Sequence, residues 1–270
     1  MSRRLVTISY TGLDAGGGVP KFNRELHGIF PDRECLHFCW RDFPWAGLID
    51  ARGESEWGRA RLLNEYLTRS KEVGLEDVVV ADGFWASGLE HLPLAISHSH
   101  GIWSHLTHDD ALAGKSPDMP DHNAAQVMFR KRWRGVLRKP MTAVSQFIAK
   151  QLRLQLDLDV DRVINNGVDT STWKPGLGPK SQRYCKLIIH GVNDRANMNK
   201  GWDHIFLLKE QLRDVATVMS LDEYSQLIGR PKSEALAQAD LVVHPSGFEG
   251  NSLFVAESLA CGVPVIGYDV

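Results

Sequence analysis

The sequence predicts an α/β protein built from two Rossmann-like domains, each a parallel sheet covered by helices. Short β-rich runs alternate with segments of helical periodicity along most of the 270 residues. The alternation stops once, over residues 165–182, where Asn, Gly, Pro, Ser and Thr accumulate as they do in linkers. It then resumes as a second strand-helix series. Repetition of this kind on both sides of a linker predicts two sheets of parallel strands.

The first series opens with a strand at 4–10, a glycine-rich turn and a helix, an order typical of nucleotide-binding α/β units. The turn contains Gly16, Gly17 and Gly18. The elements predicted after it are strands at 34–40 and 77–83, a helix over 56–74 that ends at Gly74, a candidate strand at 101–110, a basic helix over 124–140, and a strand and helix over 141–155 joined by Ser145 as helix cap.

The second series follows the linker. Its predicted strands lie at 185–191, 215–219, 240–246 and 263–269, and its helices at 200–212, 233–239 and 253–262. We therefore predict an N-terminal domain over residues 1–170, a linker over 171–182 and a C-terminal domain over 183–270. Open sheets of this type bind ligands outside the carboxyl ends of their strands, so the ligand is expected in the cleft between the two domains.

The composition is that of an ordinary globular protein, with 43% hydrophobic and 24% charged residues. The net charge of −2 gives no basic field of the kind that nucleic-acid-binding proteins carry. Four scattered cysteines without metal-ligand spacing favour reduced thiols and a cytoplasmic location. We expect neither a signal peptide nor a transmembrane helix, because no apolar run approaches the length that spans a bilayer.

The last 27 residues, from "HPSGFEGNS" onwards, contain the most informative pattern. A strand ends there and a helix begins near Asn251 or Ser252, either of which could cap it. Gly247 and Gly250 allow the backbone to approach a ligand closely. The first N–H groups of the helix, those of Ser252, Leu253 and Phe254, lack partners within the helix and lie at the positive end of its dipole. Such a helix start predicts a phosphate site.

Two acids flank this helix start. Glu249 lies in the loop, where a carboxylate would accept hydrogen bonds from hydroxyl groups rather than bind phosphate. Glu257 lies inside the helix and could bind the vicinal diol of a ribose if it faces the cleft. The alternative is that both are solvated surface acids, as most are. A phosphate site between two groups that bind hydroxyls predicts a nucleotide-sugar ligand.

The segment "EGNSLFVAESLACGVPVIGYDV" resembles the Glu-x7-Glu motif of the retaining GT-B glycosyltransferases, in particular family 4. Three further segments are similar to that family in the same chain order: "GGGVPKFNREL" to its glycine loop, "VSQFIAKQL…VINNGVDTSTWKP" to its inter-domain segment, and "KGWDHIFLL" to the Lys-Gly helix start of its C-terminal domain. The resemblance implies the GT-B fold, with the two domains facing across a cleft.

The resemblance also implies roles for particular residues. Glu249 would contact the donor sugar, Glu257 the ribose, and Lys200 would neutralise the departing diphosphate as charge develops in the transition state. The glycine loop would approach donor and acceptor, although a simple tight turn is the alternative. The donor site would thus be formed by Gly16, Gly17, Gly18, Arg195, Gly250, Asn251, Ser252, Leu253 and Glu257, with His108, Lys200 and Glu249 as catalytic residues.

His108 is chosen because "THDD" resembles the family's histidine turn at a strand end; a structural histidine is the alternative. The neighbouring histidines raise the question of a zinc site. His105 and His108 would point to opposite faces of a strand, which argues against shared metal ligation. The family implies chemistry without a metal, and no cofactor is expected beyond the nucleotide-sugar co-substrate.

Two departures from the family pattern stand out. Val192 occupies the place where the family carries an arginine after the first C-terminal strand, and Arg195 could fill that role from a shifted position. After "GYDV" the family continues with further helices, so we expect a C-terminal domain truncated relative to the family, rather than a naturally minimal enzyme.

The resemblance implies transfer of a sugar from a nucleoside-diphosphate sugar to an acceptor hydroxyl with retained configuration. The alternative is a GT-B-like binding or regulatory subunit that has lost turnover. An epimerase or dehydrogenase is disfavoured, because "GLDAGGGVP" lacks the spacing of a dinucleotide fingerprint. The acceptor stays open between a glycan, a lipid carrier, a protein and modified nucleic acid. Residues 129–140 carry six cations, which predict a weak contact with an anionic partner, either a membrane surface or nucleic acid. The alternative is a solvated helix face.

Overall fold

The computed structural model describes residues 3–15, 18–52, 56–100, 140–156, 158–176, 186–192, 200–247 and 249–268. The chain divides into two compact units, Met1–Asn165 and Asn166–Val270. Each unit has a parallel sheet with helices in the connections between strands. The predicted candidate strand at 101–110 and basic helix at 124–140 lie outside the described residues. No helix among the described residues is long and apolar enough to cross a membrane.

The N-terminal unit has a six-stranded sheet within its described residues, in the order β2-β1-β3-β4-β5-β6. Its strands are β1 (Leu5–Ser9), β2 (Cys35–Cys39), β3 (Val78–Asp82), β4 (Ala95–Ser99), β5 (Met141–Ala143) and β6 (Arg162–Val163). Its helices are α1 (Gly18–Ile29), α2 (Ala46–Ala51), α3 (Glu56–Arg69) and α4 (Gln146–Leu156). All five residues of β1 are buried, because this strand lies between two neighbours in the interior of the sheet.

The strand order fixes where this unit can bind a ligand. From β1 the chain first adds β2 on one side and later β3 on the other. The connections from β1 and β3 therefore leave in opposite directions at the carboxyl end of the sheet. A crevice forms at such a switch point in open α/β sheets. The loop after β1, which leads to the glycines before α1, begins at this point.

Four of these helices and strands of the N-terminal unit differ from the sequence prediction, and two of them, α2 and β6, are short elements that were not predicted. Helix α3 ends at Arg69 rather than at Gly74, because Lys71 adopts a left-handed conformation (φ 60°) and reverses the chain earlier. Strand β4, with the sequence AISHS, was not predicted. Its serines and histidines hide the apolar signal of a strand, although four of its five residues are buried.

The C-terminal unit has a four-stranded sheet within its described residues, in the order β10-β9-β7-β8. Its strands are β7 (Leu187–His190), β8 (Thr217–Ser220), β9 (Leu241–His244) and β10 (Val265–Gly267). Its helices are α5 (Trp202–Leu212), α6 (Leu221–Ile228), α7 (Lys232–Gln238) and α8 (Leu253–Ala260). The core between sheet and helices is small and aliphatic, built around Ile189, Leu236, Val242, Cys261 and Val263. The predicted strands and helices of this half are confirmed.

Helix α6 was not predicted, although the sequence contained its signal. Ser220 accepts a hydrogen bond from the backbone N–H of Glu223, and the Glu223 side chain accepts one from the N–H of Ser220. This capping box is a sequence signature of a helix start. The helix ends at Gly229, which has a left-handed conformation.

The second sheet has its own switch point, between β7 and β9. The chain leaves β7 to form β8 on one side and then crosses to form β9 on the other. The loops after β7 and β9 are therefore the two loops that border the expected crevice of this unit.

Candidate functional site

The switch point of the C-terminal sheet brings Lys200 and Glu249 together. Lys200 ends the connection from β7 to α5, and Glu249 lies in the loop after β9. The Lys200 Nζ atom lies 2.5 Å from Oε1 of Glu249, although 49 residues separate the two in sequence. The structure thus joins two of the three residues that the sequence prediction treated as catalytic.

Gly201 makes this contact possible. It has φ of 67°, and a Cβ atom at this position would lie 2.3 Å from the carbonyl oxygen of Pro245. Any larger residue would collide with the backbone of the loop after β9, and a left-handed conformation already favours glycine. The close approach seats the start of α5 on that loop and holds Lys200 beside Glu249.

A cluster of polar side chains surrounds the Glu249 carboxylate. His244 Nε2 lies 3.3 Å from the same oxygen that contacts Lys200, and Ser246 also hydrogen-bonds to this carboxylate. Burial acts to raise the pKa of Glu249, but the neighbouring His244 imidazole and the charge of Lys200 outweigh it and lower the pKa to about 2. Glu249 is therefore ionised at neutral pH and can accept hydrogen bonds from hydroxyl groups.

The start of helix α8, at Leu253, lies four residues after Glu249. Ser252 is its N-cap, and the Ser252 hydroxyl accepts a hydrogen bond from Val255 N–H at 3.3 Å. The preceding residue is also fixed, because the Asn251 carbonyl accepts a hydrogen bond from the Asn166 amide at 3.1 Å. Such a capped helix start presents backbone N–H groups and the positive end of the helix dipole.

The first turn of α8 packs against the end of β7. A Cβ atom at Gly191 would lie 2.8 Å from the Phe254 ring, so glycine is required for this contact. Leu253 is the first helical residue, and Glu257 follows in the second turn with only 7% of its surface exposed. The helix start that the sequence assigned to phosphate therefore belongs to the same switch point as the Lys200–Glu249 pair.

Several predicted site residues lie outside the described part of the chain. These are His108, Arg195, Gly16 and Gly17. Gly18 is described and forms the first residue of α1. Val192, which stands at the place of the family's arginine, is 4% exposed, and its N–H donates to Nδ1 of His190.

The N-terminal unit contains a group of polar residues that the sequence prediction did not assign to the site. The strand register places Asp82, His98 and Thr142 side by side on β3, β4 and β5 at the carboxyl end of the sheet. His98 Nδ1 lies 2.7 Å from the Thr142 hydroxyl, while its buried Nε2 has no partner among the described residues. The signal for this group was the sequence "SHSH" at the end of an otherwise apolar run.

Two rings extend this group toward the end of β4. Phe22 of α1 stacks on His98 with ring centroids 4.7 Å apart, and His100 contacts both rings edge-on. Burial lowers the pKa of His98 to about 4. Burial, with a smaller effect of His98, lowers that of His100 to about 3. Both imidazoles are therefore neutral at pH 7, and each can donate one hydrogen bond and accept another.

Comparison with known proteins identifies the fold. A family model described as Glycosyl transferases group 1 matches residues 177–270. A search of curated proteins finds no match. Among solved structures, the chain is similar to sucrose-phosphate synthase from Thermosynechococcus elongatus, with a TM-score of 0.68 and 12% identity over 100% of this chain and 82% of that one.

Two further solved structures show the same likeness. WaaG, a glycosyltransferase involved in lipopolysaccharide biosynthesis, has a TM-score of 0.56 and 12% identity over 98% of this chain and 81% of that one. The E. coli trehalose-6-phosphate protein bound with UDP-2-fluoro glucose has a TM-score of 0.56 and 10% identity over 98% of this chain and 83% of that one. The chain therefore has the α/β fold of the GT-B glycosyltransferases, as predicted, and its residues 177–270 are similar to the group 1 family.

Proposed function

We propose that this protein is a retaining glycosyltransferase that moves a sugar from a nucleoside-diphosphate sugar to an acceptor hydroxyl. One observation carries the proposal. A lysine and an ionised glutamate meet at the switch point of the C-terminal sheet, next to a capped helix start. The segment that contains them matches the group 1 family. The three groups offer the charges that a diphosphate and a hydroxyl-rich sugar require.

Each group takes one part of the donor in this proposal. The N–H groups at the start of α8, at Ser252 and Leu253, bind the diphosphate, and Lys200 neutralises the charge that develops on it as it leaves. Glu249 accepts hydrogen bonds from the sugar hydroxyls. Glu257 binds the ribose diol, and the loop residues Gly250 and Asn251 provide close approach. Arg195 is proposed as a further donor contact in place of the family's arginine.

The N-terminal unit supplies the remaining contacts in this proposal. The glycine loop at Gly16, Gly17 and Gly18 approaches donor and acceptor, and His108 contacts the transferring sugar. His100 is a second candidate for that role, because it lies at the carboxyl end of β4 and is neutral at pH 7. A neutral imidazole can hydrogen-bond to a sugar hydroxyl without changing the charge of the site.

The proposed reaction is a substitution at the anomeric carbon. The bond to the diphosphate breaks, the sugar passes through an oxocarbenium-like state, and the acceptor hydroxyl arrives on the same face. Lys200 and the N–H groups of α8 stabilise the negative charge on the departing diphosphate, and the acceptor's proton is taken up by that group. A metal ion and a further cofactor are not part of the proposal.

A sugar-nucleotide-binding subunit without turnover is the second candidate function. It is favoured by one observation, the buried Val192 at the position where the family carries a donor-binding arginine. Loss of that cation would weaken stabilisation of the leaving group while Lys200 and the α8 helix start still bound the donor. Binding without hydrolysis or transfer would support this candidate.

The two candidates are separated by offering the purified protein a panel of UDP-, GDP- and ADP-sugars, with and without acceptors. We expect release of the nucleoside diphosphate for one donor and a product with the anomeric configuration of that donor, both read by NMR. Lys200→Ala and Glu257→Ala should abolish turnover. Lys232→Ala, a lysine at the start of α7, should not. Inversion of configuration, or full activity of Lys200→Ala, would contradict the proposal.

The acceptor class is proposed only as a hydroxyl on a glycan, lipid carrier, protein or modified nucleic acid. We further propose that residues 129–140, with their six cations, contact an anionic surface. A cytoplasmic enzyme at the periphery of a membrane fits both proposals. Sedimentation with vesicles of neutral and anionic lipid would test this contact.

A further inference from the structure

A chain of hydrogen bonds runs across the N-terminal sheet to the loop after β1. The register of β1 and β2 places Thr7 opposite His37. His27 Nε2, on α1, lies 2.9 Å from the Thr7 hydroxyl, which lies 2.8 Å from His37 Nδ1. His37 Nε2 in turn lies 3.0 Å from the carbonyl oxygen of Thr11, in the loop. The Thr7 hydroxyl, at the centre of this series, belongs to a residue with no exposed surface.

The two histidines of this hydrogen-bonded series are both neutral at pH 7, for the following reasons. Burial, with a smaller effect of His37, lowers the pKa of His27. Burial also lowers that of His37, outweighing the Thr11 carbonyl and Asp42, which both act to raise it. Both rings are therefore neutral at pH 7.

A carbonyl oxygen only accepts hydrogen bonds, so His37 must carry its proton on Nε2. Its Nδ1 then accepts from the Thr7 hydroxyl, and the Thr7 oxygen accepts from His27 Nε2–H. The Leu36 carbonyl also lies within reach of the Thr7 hydroxyl, at 3.5 Å, a distance at which the bond is weak. Donation from Thr7 to His27 Nε2 would leave His37 Nδ1 without a donor in this series.

The loop is also held by other side chains. The Ser9 hydroxyl donates to the same Thr11 carbonyl at 2.8 Å. The Arg24 guanidinium, on α1, donates to the carbonyl oxygens of Leu13 and Ala15. Three carbonyl groups of one short loop are thus bound by side chains of β1, β2 and α1. Since C=O and N–H point in opposite directions across a planar peptide unit, the Gly12 and Asp14 N–H groups point away from these side chains.

We propose that His37 is a positioning residue. It holds the loop after β1 in a fixed orientation, and this loop contacts a ligand bound at the switch point of the N-terminal sheet. The proposal rests on the proposed function, because that function gives the loop its ligand. Thr7 and His27 act through His37, by fixing its tautomer and the orientation of its ring. The loop thus depends on a histidine of β2, 26 residues from the carbonyl it binds.

Two measurements that need no turnover test the structural part. Long-range proton–nitrogen NMR of the imidazoles, assigned with His37→Gln and His27→Gln, should show the Nε2–H form for both residues. Amide exchange over residues 10–15 should be about fivefold faster in His37→Ala, the effect expected for loss of one hydrogen bond. His37→Gln should restore normal exchange, because the glutamine amide can donate to Thr11 from nearly the same place. An Nδ1–H form of His37, or unchanged exchange in His37→Ala, would overturn the proposal.

Kinetics of donor turnover test the functional part. We expect His37→Ala to raise KM for donor or acceptor about fivefold, with a smaller change in kcat, and His37→Gln to bring KM back toward wild type. His91→Ala removes an exposed histidine of the same unit and serves as control. If His37→Ala does not fold, Thr7→Val removes only the hydroxyl group and should also speed exchange of the loop. If the wild-type protein binds no nucleotide-sugar, the proposed function is contradicted. If His37→Ala has the KM of the wild type, the positioning role of His37 is contradicted.

Discussion

At the scale of single residues, the contact between Lys200 and Glu249 has the clearest consequence. Lys200 is 38% exposed and Glu249 19% exposed, so their ion pair is only partly screened by water. In the proposed function, Lys200 must give its charge to a diphosphate while Glu249 turns to sugar hydroxyls. The carboxylate and the diphosphate therefore compete for the same ammonium group.

Glu249→Gln should free Lys200 from this competition. We expect inorganic pyrophosphate to bind about threefold to fivefold more tightly to the variant, since a partly exposed ion pair contributes about 1 kcal/mol or less. Sugar transfer should be lost in the same variant, because a neutral amide replaces the ionised carboxylate. Calorimetric titration with pyrophosphate measures the first effect. Asp222→Asn, which removes the ion-pair partner of Lys232, a lysine outside the candidate site, is the matched control. Equal or weaker binding to Glu249→Gln would contradict the competition.

At the scale of elements, the start of α8 combines a structural and a proposed binding role. Ser252 caps this helix, as Ser220 caps α6 in the same unit. The two caps satisfy backbone N–H groups in the same way, but only the first turn of α8 belongs to the candidate site. Comparing the Ser252 and Ser220 caps therefore separates the contribution of a helix cap to protein stability from its contribution to ligand binding.

Ser252→Ala and Ser220→Ala should each destabilise the protein by about 1 kcal/mol, the usual contribution of an N-cap serine. Only Ser252→Ala should also weaken nucleotide-sugar binding, because a frayed first turn no longer presents its N–H groups in a fixed direction. Urea unfolding and ligand titration of both variants measure the two effects. Equal loss of affinity in both variants would show that α8 has no special role.

At the scale of the whole molecule, buried histidines make stability depend on pH. Burial lowers the pKa of His98 to about 4, of His100 to about 3 and of His190 to about 4, so histidines of both units are affected. Their unfolded-state pKa is close to 6.5. Between these values the unfolded chain binds more protons than the folded one, and stability therefore falls as the pH decreases.

We expect the stability of the protein to be largest above pH 6.5 and to decline toward pH 4, by about 1.4 kcal/mol per pH unit for each histidine that stays neutral when folded. Burial raises the pKa of Asp82 to about 7, which gives a contribution of opposite sign over the same range and offsets that of about one histidine. Urea unfolding between pH 7 and pH 4.5 measures the slope. His190→Asn keeps an acceptor for the Val192 N–H. It should reduce the slope of the unfolding free energy against pH by the contribution of one histidine, about 1.4 kcal/mol per pH unit. An unchanged slope would show that His190 titrates alike in both states.

Much of the fold could be predicted because each element carries its own local signal. Apolar runs, glycines and capping residues gave the strands of the C-terminal unit, and its helices other than α6, to within a few residues. Two of the differences from the prediction have local causes as well. Strand β4 carries serines and histidines in place of apolar residues. Helix α3 ends early because Lys71 adopts a left-handed conformation, which its sequence does not predict. The polar group around His98 was missed for the same reason as β4.

By itself, the sequence determined the order of elements, the division into two α/β series and the identity of Lys200 and Glu249 as residues of interest. Tertiary structure alone decided that these two side chains touch, that Gly201 must be glycine beside Pro245, and that His27, Thr7 and His37 form one hydrogen-bonded chain. The physical reason is that such contacts depend on strand order and register. A hydrogen bond between residues 30 or 49 positions apart leaves no trace in the local pattern of either segment.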